Sequence, residues 1–264
     1  MPTNYSSPLD VIRPGALLLL ALGVFASASA DESLHIAVAS NFRNAALEIT
    51  ETFTSESEIQ VRLSSGSTGK LYAQIVNGAP YDVFLAADMQ RPRLLAERGD
   101  GLKDSLRRYV DGKLVLISAD HDIKDGDCLK ALRDGSFGKL AIANPATAPY
   151  GAAAKAYLQA ADLWDVAEAK IVMGESIAQA FLFVATGNAT LGIVSASQLV
   201  SENTRAGISC RWAIDVPDDS AVHQGGIILN RTKMPDEARL FMEFLRSDTA
   251  TALMVAHGYE VPTG

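Results

Sequence analysis

Cysteine is scarce in this chain of 264 residues, which contains only Cys128 and Cys210 and no C-x-x-C pair. Two isolated thiols cannot complete a structural zinc site. In an exported protein an even number of cysteines is compatible with a disulfide, whereas two buried free thiols are the simpler alternative. The sequence alone leaves both interpretations open.

Positive charge is also in short supply. Lys and Arg together number 23 against 31 Asp and Glu, which gives a formal net charge of −8 at pH 7. This balance argues against nucleic acid or an anionic membrane as a partner, because both attract basic proteins. A small anion is not excluded, since neutral dipoles can build a buried anion site.

Catalytic patterns are missing as well. The sequence has no G-x-S-x-G nucleophile elbow, and its histidines show neither metal-ligand nor triad spacing. The enzymatic alternative, a secreted serine hydrolase, is therefore disfavoured. We predict a protein that is not an enzyme, with no catalytic residue and no cofactor.

The apolar run Ala16–Ala26 follows Arg13 and precedes the small-x-small pattern Ala28-Ser29-Ala30. It is too short to span a bilayer, so we predict a secretory signal peptide over residues 1–30 that is cleaved at its end. An uncleaved anchor is the alternative. No later run approaches membrane length, and we expect the mature chain in the periplasm.

Strand and helix patterns alternate along the mature chain. Short continuous apolar runs of the kind found in covered sheets predict strands at Leu34–Ala39, Gln60–Leu63, Asp82–Ala87, Lys113–Ser118, Lys139–Ala143, Ile171–Met173, Thr190–Val194, Arg211–Val216 and Gly225–Leu229. One-sided apolar stripes predict helices at 42–53, Lys70–Asn77, Met89–Arg98, Ala152–Ala161, Ala178–Thr186, Pro235–Arg246 and Thr249–Ala256. Ser40 or Asn41 is the expected N-cap of the first of these helices and Asp248 that of the last. Gly151, just before the fourth helix, should let another group approach closely. This alternation predicts an α/β fold with parallel, doubly wound sheets and helices on both faces.

A run of hydroxyl residues and glycines, Ser64-Ser65-Gly66-Ser67-Thr68-Gly69, stands between the second predicted strand and the second predicted helix. Free N–H groups and hydroxyls at a helix N-terminus favour an anion. With Lys70 the run approaches a nucleotide-binding P-loop, but it has Ser64 where the motif needs glycine. It also has Leu71 where the motif needs the magnesium-binding hydroxyl. We therefore expect an anion site that is not a nucleotide site.

Three further strand-to-helix turns carry comparable donors: Ser40-Asn41, Tyr150-Gly151 and Ser176-Ile177. Such turns gather at the carboxyl ends of the strands in open α/β sheets, so we expect them to share one ligand. Apart from Glu175, they offer hydrogen-bond donors and no carboxylate acceptors. A fully deprotonated oxyanion only accepts hydrogen bonds, so it suits such a site.

Several segments, taken together, resemble the periplasmic molybdate-binding proteins of ABC transporters. The resemblance runs in order from about Leu34 to the C-terminus. It is carried by Ala39-Ser40-Asn41-Phe42, by the run from Ser64 to Ile75, by Asn77-Gly78-Ala79-Pro80-Tyr81-Asp82-Val83-Phe84, by Ala148-Pro149-Tyr150-Gly151 and by Thr186-Gly187-Asn188-Ala189.

The resemblance implies a two-lobed type II periplasmic-binding-protein fold. We place the first lobe at residues 31–112 with 222–264 and the second at 113–221. Molybdate or tungstate would be held in the cleft by hydrogen bonds rather than ion pairs and delivered to an inner-membrane ABC permease. We expect a monomer that does not bind nucleic acid. A protein of the same fold that binds sulfate, phosphate or a small organic acid is the alternative.

The resemblance also implies which residues contact the anion through its oxygens, with no direct bond to the metal atom. The implied contacts are Ser40, Asn41, Thr68, Tyr150 and the backbone N–H of Ile177, with Ser67 as a contact or neighbour. Thr68 stands where serine is common in the family. Some members have a tyrosine ligand at the position of Ser195, so here either a shorter hydroxyl reaches the anion or that contact is lost. Arg43 and Lys70 are expected to point to solvent.

Overall fold

A computed structural model describes residues 33–200, 202–216 and 221–262. Ten strands form two sheets of five, and each sheet with its helices makes one lobe of an α/β fold. The strands are β1 (Leu34–Ala39), β2 (Val61–Gly66), β3 (Val83–Leu85), β4 (Arg107–Gly112), β5 (Leu114–Ser118), β6 (Leu140–Ala143), β7 (Ile171–Gly174), β8 (Leu191–Ser195), β9 (Cys210–Ile214) and β10 (Val222–Ile228). The predicted signal peptide lies outside the described residues.

The first sheet has the strand order β2-β1-β3-β10-β4 and the second has the order β7-β6-β8-β5-β9. Half of the neighbouring pairs are parallel, as predicted, but β10 is antiparallel to β3 and β4, and β5 is antiparallel to β8 and β9. Strand β5 is the first strand after the chain passes from the first sheet to the second, and β10 is the first strand after it returns. No crossover helix precedes them within the same sheet, and a parallel neighbour requires such a crossover. The prediction of purely parallel sheets was therefore wrong for these two strands, and β4 was missed.

Ten α-helices cover the sheets within the described ranges. They are α1 (Arg43–Ser57), α2 (Thr68–Val76), α3 (Gln90–Arg98), α4 (Cys128–Asp134), α5 (Pro149–Ala160), α6 (Trp164–Ala167), α7 (Ile177–Ala185), α8 (Glu202–Ala206), α9 (Pro235–Phe244) and α10 (Asp248–Ala256). None of the helices in the described ranges is long and apolar enough to cross a membrane.

Two helix starts differ from the sequence-based prediction. Ser40 or Asn41 was expected to cap α1, but the cap residue is Phe42, whose side chain makes no capping bond. The Asn41 side chain is instead hydrogen-bonded to Gln224, which is distant in sequence. For α10 the cap is Ser247 rather than Asp248, and its hydroxyl accepts from the Ala250 N–H at 3.1 Å.

Each lobe has its own apolar core. In the first lobe the stripe predicted for α1 is buried against β1 and α9, and Phe53 stacks edge-on against Phe241. In the second lobe α5 and α7 cover the central strands. Cys128 and Cys210 form a disulfide that joins the start of α4 to the start of β9, with 5.9 Å between the Cα atoms. The structure thus decides between the two interpretations of the cysteines.

Candidate ligand-binding site

A small cavity lies where the ends of β1 and β2 meet the starts of α2, α5 and α7. We call it the junction cavity, because its lining comes from both lobes. Its volume is about 10 Å³, far below the usual range for drug-sized ligands. It is lined by Ala39, Ser40, Asn41, Gly66, Ser67, Thr68, Ala87, Ala148, Pro149, Tyr150 and Ile177. All six residues that the sequence analysis proposed as contacts are among them.

The junction cavity has an uncharged lining. None of its lining residues is Asp, Glu, Lys, Arg or His. Within the described ranges there is also no group of three or more His, Cys, Asp or Glu side chains that could hold a metal ion. The cavity therefore offers hydroxyls, backbone N–H groups and three helix N-termini, which together suit an anion.

The hydroxyl-rich stretch is partly strand and partly helix. Strand β2 runs through Gly66, Ser67 precedes α2, and Thr68 is the first helical residue. The buried Ser67 hydroxyl has no hydrogen-bond partner. The Thr68 hydroxyl accepts from the Ala87 N–H at 3.0 Å, so its own proton remains available for a ligand. The predicted strand ended too early, at Leu63, because the polar serines masked its continuation.

Asn41 is buried and turned away from its predicted capping role. Its side-chain Nδ2 donates to Gln224 at 2.9 Å and to the Tyr259 hydroxyl at 3.1 Å. Its carbonyl oxygen accepts from the Tyr259 hydroxyl at 2.7 Å and from Ser197 at 3.2 Å. Because both side-chain donors are used, the backbone N–H is the group that Asn41 can offer to a ligand.

Ser40 ties the two early turns together. Its backbone N–H donates to the Gly66 carbonyl at 2.9 Å, which places the Ser40 hydroxyl beside the start of α2. The hydroxyl is then the group that Ser40 can offer to a ligand.

Tyr150 is buried in the first turn of α5, next to Pro149 at its first position. This turn packs tightly on β6, since a Cβ at Gly151 would lie 2.1 Å from the Ala143 carbonyl oxygen. The Tyr150 hydroxyl likewise packs directly on Gly112, since a Cβ at that position would lie 1.9 Å from the hydroxyl oxygen. Burial raises the pKa of Tyr150 well above its usual value, so the phenol stays protonated.

Helix α7 presents Ile177 to the cavity. Ser176 caps the helix by accepting from the Gln179 N–H at 3.3 Å. The N–H of Ile177, in the first helical turn, has no partner within the helix and is available to a ligand. The Ile177 side chain is buried.

Ser195, at the end of β8, does not line the junction cavity. Its hydroxyl hydrogen-bonds to Ser197 at 2.8 Å, and the Ser197 hydroxyl in turn donates to the carbonyl oxygen of Asn41, which lines the cavity. Ser195 is therefore connected to the lining through Ser197.

Arg43 is exposed, as expected. Lys70 is also exposed, but it is not free: its ammonium lies 2.5 Å from the Glu175 carboxylate of the other lobe. The two residues are 105 positions apart in the chain, and no local pattern in the sequence indicates this ion pair.

A family comparison identifies the class of protein to which the chain belongs. Residues 34–260 match the family described as bacterial extracellular solute-binding protein. The chain belongs to this family. A solute-binding protein captures its substrate and releases it unchanged, so the protein is not an enzyme and needs no cofactor.

Two relatives of this solute-binding protein are named molybdate-binding proteins. The one from Azotobacter vinelandii is 40% identical over 92% of this chain and 96% of its own length. The one from Rhodobacter capsulatus is 37% identical over 95% of this chain and 97% of its own. The solved structure of the Azotobacter vinelandii periplasmic molybdate-binding protein superposes with a TM-score of 0.80, at 34% identity, over 88% of this chain and all of that one.

Proposed function

We propose that this solute-binding protein binds molybdate in the junction cavity. The observation that carries the proposal is the composition of the lining: hydroxyls and helix starts from both lobes converge there without a single charged side chain. A fully deprotonated oxyanion can satisfy every such donor, whereas a protonated one would need an acceptor for its own proton.

We further propose the contacts. Ser40 and Thr68 would donate from their hydroxyls, and Ser67 has a buried hydroxyl that needs a partner. The backbone N–H groups of Asn41 and Ile177 would complete the contacts to the anion, together with the Tyr150 hydroxyl. The helix N-termini of α2, α5 and α7 add favourable partial positive charge where the anion sits.

The choice of molybdate over sulfate rests on the relatives, since hydroxyl and N–H donors can bind any fully deprotonated tetrahedral oxyanion. Both relatives above are named for molybdate and align over nearly their whole length. Tungstate has the same charge and shape, so we propose that it binds at the same site.

We also propose how the protein works in transport. The first lobe would comprise residues 31–112 and 222–264, and the second 113–221. The anion would stabilise the closed arrangement of the lobes by a hinge motion. The closed monomer, exported by the signal peptide over residues 1–30, would then deliver the anion to an ABC permease in the inner membrane.

Calorimetric titration of the purified mature chain, freed of bound ligand by unfolding and refolding, tests the proposal. Molybdate and tungstate should each bind with one site per chain, without any added metal ion, and sulfate and phosphate should compete weakly. Tight binding of sulfate or phosphate with no heat from molybdate would contradict the choice of ligand. No heat from any of the four anions would contradict the site itself.

A further inference from the structure

Gln224 occupies a position that connects the two lobes. It is fully buried on β10, at a register shift in the pairing of β10 with β4. Its side-chain amide hydrogen-bonds to Asn41 of the first lobe and Tyr150 of the second, both of which line the junction cavity. Gln224 itself does not line the cavity, so its effect on a ligand must act through these two residues.

The orientation of the Gln224 amide follows from the hydrogen bonds of the nearby Tyr259 hydroxyl. The Tyr259 hydroxyl lies 2.7 Å from the Asn41 carbonyl oxygen, which can only accept a hydrogen bond, so Tyr259 gives its single proton there. The Asn41 side-chain atom 3.1 Å from the same hydroxyl must then be a donor, which identifies it as Nδ2.

The direction of the next bonds follows in turn. Asn41 Nδ2 also donates to Gln224 at 2.9 Å, so Gln224 presents Oε1 on that side, where it accepts from Tyr109 at 3.2 Å as well. The Nε2 group therefore faces the Tyr150 hydroxyl, at 3.3 Å. Because an amide nitrogen only donates, the Tyr150 oxygen accepts and its own proton stays available.

The side chains that make these hydrogen bonds are amides and phenols. The titratable groups around Gln224 are the phenols of Tyr109, Tyr150 and Tyr259, and burial raises the pKa of each, so all three stay protonated at neutral pH. The Asp88 carboxylate contributes to the raised pKa of Tyr109. The side chains of Ser195, Asn41 and Gln224 partly offset the effect of burial on the pKa of Tyr150.

We propose that Gln224 is a positioning residue for anion binding: it keeps the Tyr150 hydroxyl a hydrogen-bond donor for the anion and ties it to the Asn41 loop of the other lobe. The inference rests on the proposed function, because it assumes that an oxyanion occupies the junction cavity. Gln224 thereby preserves the donor-only character on which selection of a deprotonated anion depends.

Gln224→Glu tests the inference, because it keeps the shape and makes the donor titratable. The protonated acid can donate to Tyr150 as the amide does, whereas the carboxylate would draw the Tyr150 proton away from the anion. Molybdate affinity of this variant should fall about tenfold or more between pH 6 and pH 9. The wild type and the charge-matched control Gln60→Glu, at an exposed position, should show no such fall. A variant equally weak at both pH values would indicate mere structural damage and overturn the inference.

A double-mutant cycle supplies the second test. Tyr150→Phe and Gln224→Met should each weaken molybdate binding, and the double variant should bind little worse than Tyr150→Phe alone, because Gln224 acts through that hydroxyl. Wild-type affinity in Tyr150→Phe, or additive losses, would overturn the inference even if Gln224→Glu failed to fold. Failure of the wild type to bind molybdate would instead contradict the proposed function on which the inference rests.

Discussion

The backbone N–H of Gly69 in the first lobe donates a 2.8 Å hydrogen bond to the carbonyl oxygen of Thr147 in the second. A Cβ at Gly69 would lie 2.8 Å from that oxygen and 3.0 Å from the Thr147 Cα. Both neighbours are backbone atoms, so neither can move aside cheaply. The contact joins the two lobes next to Thr68 and Ala148, which line the junction cavity.

Gly69→Ala should therefore separate closure from folding. Alanine favours the helix by up to about 1 kcal/mol relative to glycine, so the thermal unfolding midpoint of the ligand-free protein should not fall. Molybdate affinity should drop by about tenfold or more, because the closed arrangement is obstructed. Calorimetry and thermal unfolding of the same sample check both parts. An unchanged affinity would show that the bound state does not bring these two backbones together.

Thr68→Ala should weaken binding more than its loss of one hydroxyl suggests. The substitution removes a hydroxyl that we propose donates to the anion, and it also leaves the Ala87 N–H without its buried acceptor. We expect a loss of molybdate affinity of about tenfold or more and a decrease in the free energy of unfolding of about 1–3 kcal/mol. Thr68→Ser, which keeps the hydroxyl, is the matched control and should restore both. Equal affinity in the alanine and serine variants would place the anion elsewhere.

Loss of the Cys128–Cys210 disulfide should affect stability without affecting the site. The bond closes a loop with a sequence separation of 82 within the second lobe, and neither cysteine lines the junction cavity. The double variant Cys128→Ser, Cys210→Ser should lose about 2–5 kcal/mol in the free energy of unfolding, measured by chemical denaturation. Its molybdate affinity at 25 °C should match that of the wild type. A large change in affinity would mean that the disulfide also sets the geometry of the site.

Stability should fall at alkaline pH because of the buried phenols. The pKa values of Tyr109, Tyr150 and Tyr259 are all raised by burial, so the folded state holds these protons more tightly than the unfolded state does. Their contribution is complete below the ordinary tyrosine pKa of about 10 and is lost progressively above it. Thermal unfolding between pH 8 and pH 11 should show this decline, and Tyr109→Phe should reduce it. An equally steep decline in Tyr109→Phe would point to other groups.

Much of the site could be predicted from the sequence because its donors stand in local strand-to-helix turns. Thr68, Tyr150 and Ile177 each lie in the first turn of a helix that has a recognisable apolar stripe. Their position just after the end of a strand therefore follows from the sequence pattern alone. Gly151 was likewise expected to permit a close approach, and the Ala143 carbonyl makes that approach.

The remainder depends on partners far apart in the chain. Asn41 was expected to cap α1, but its side chain bonds to Gln224, 183 residues away, and no local propensity reports such a pairing. The strand β4 was missed because Arg107 and Arg108 break the apolar pattern, although Tyr109 and Val110 are buried. The antiparallel strands β5 and β10 follow from where the chain changes sheets, which is a property of the whole fold.

The order of strands in the two sheets also limits how the chain can fold during synthesis, which starts at the N-terminus. The second sheet is built from the consecutive strands β5 to β9, whereas the first needs β10 between β3 and β4. The first lobe therefore cannot complete its sheet until β10 has been made, whereas the second lobe can form earlier. A nascent chain ending shortly before β10 would hold a finished second lobe and three early strands, β1 to β3, separated from β4 by an empty place in the sheet.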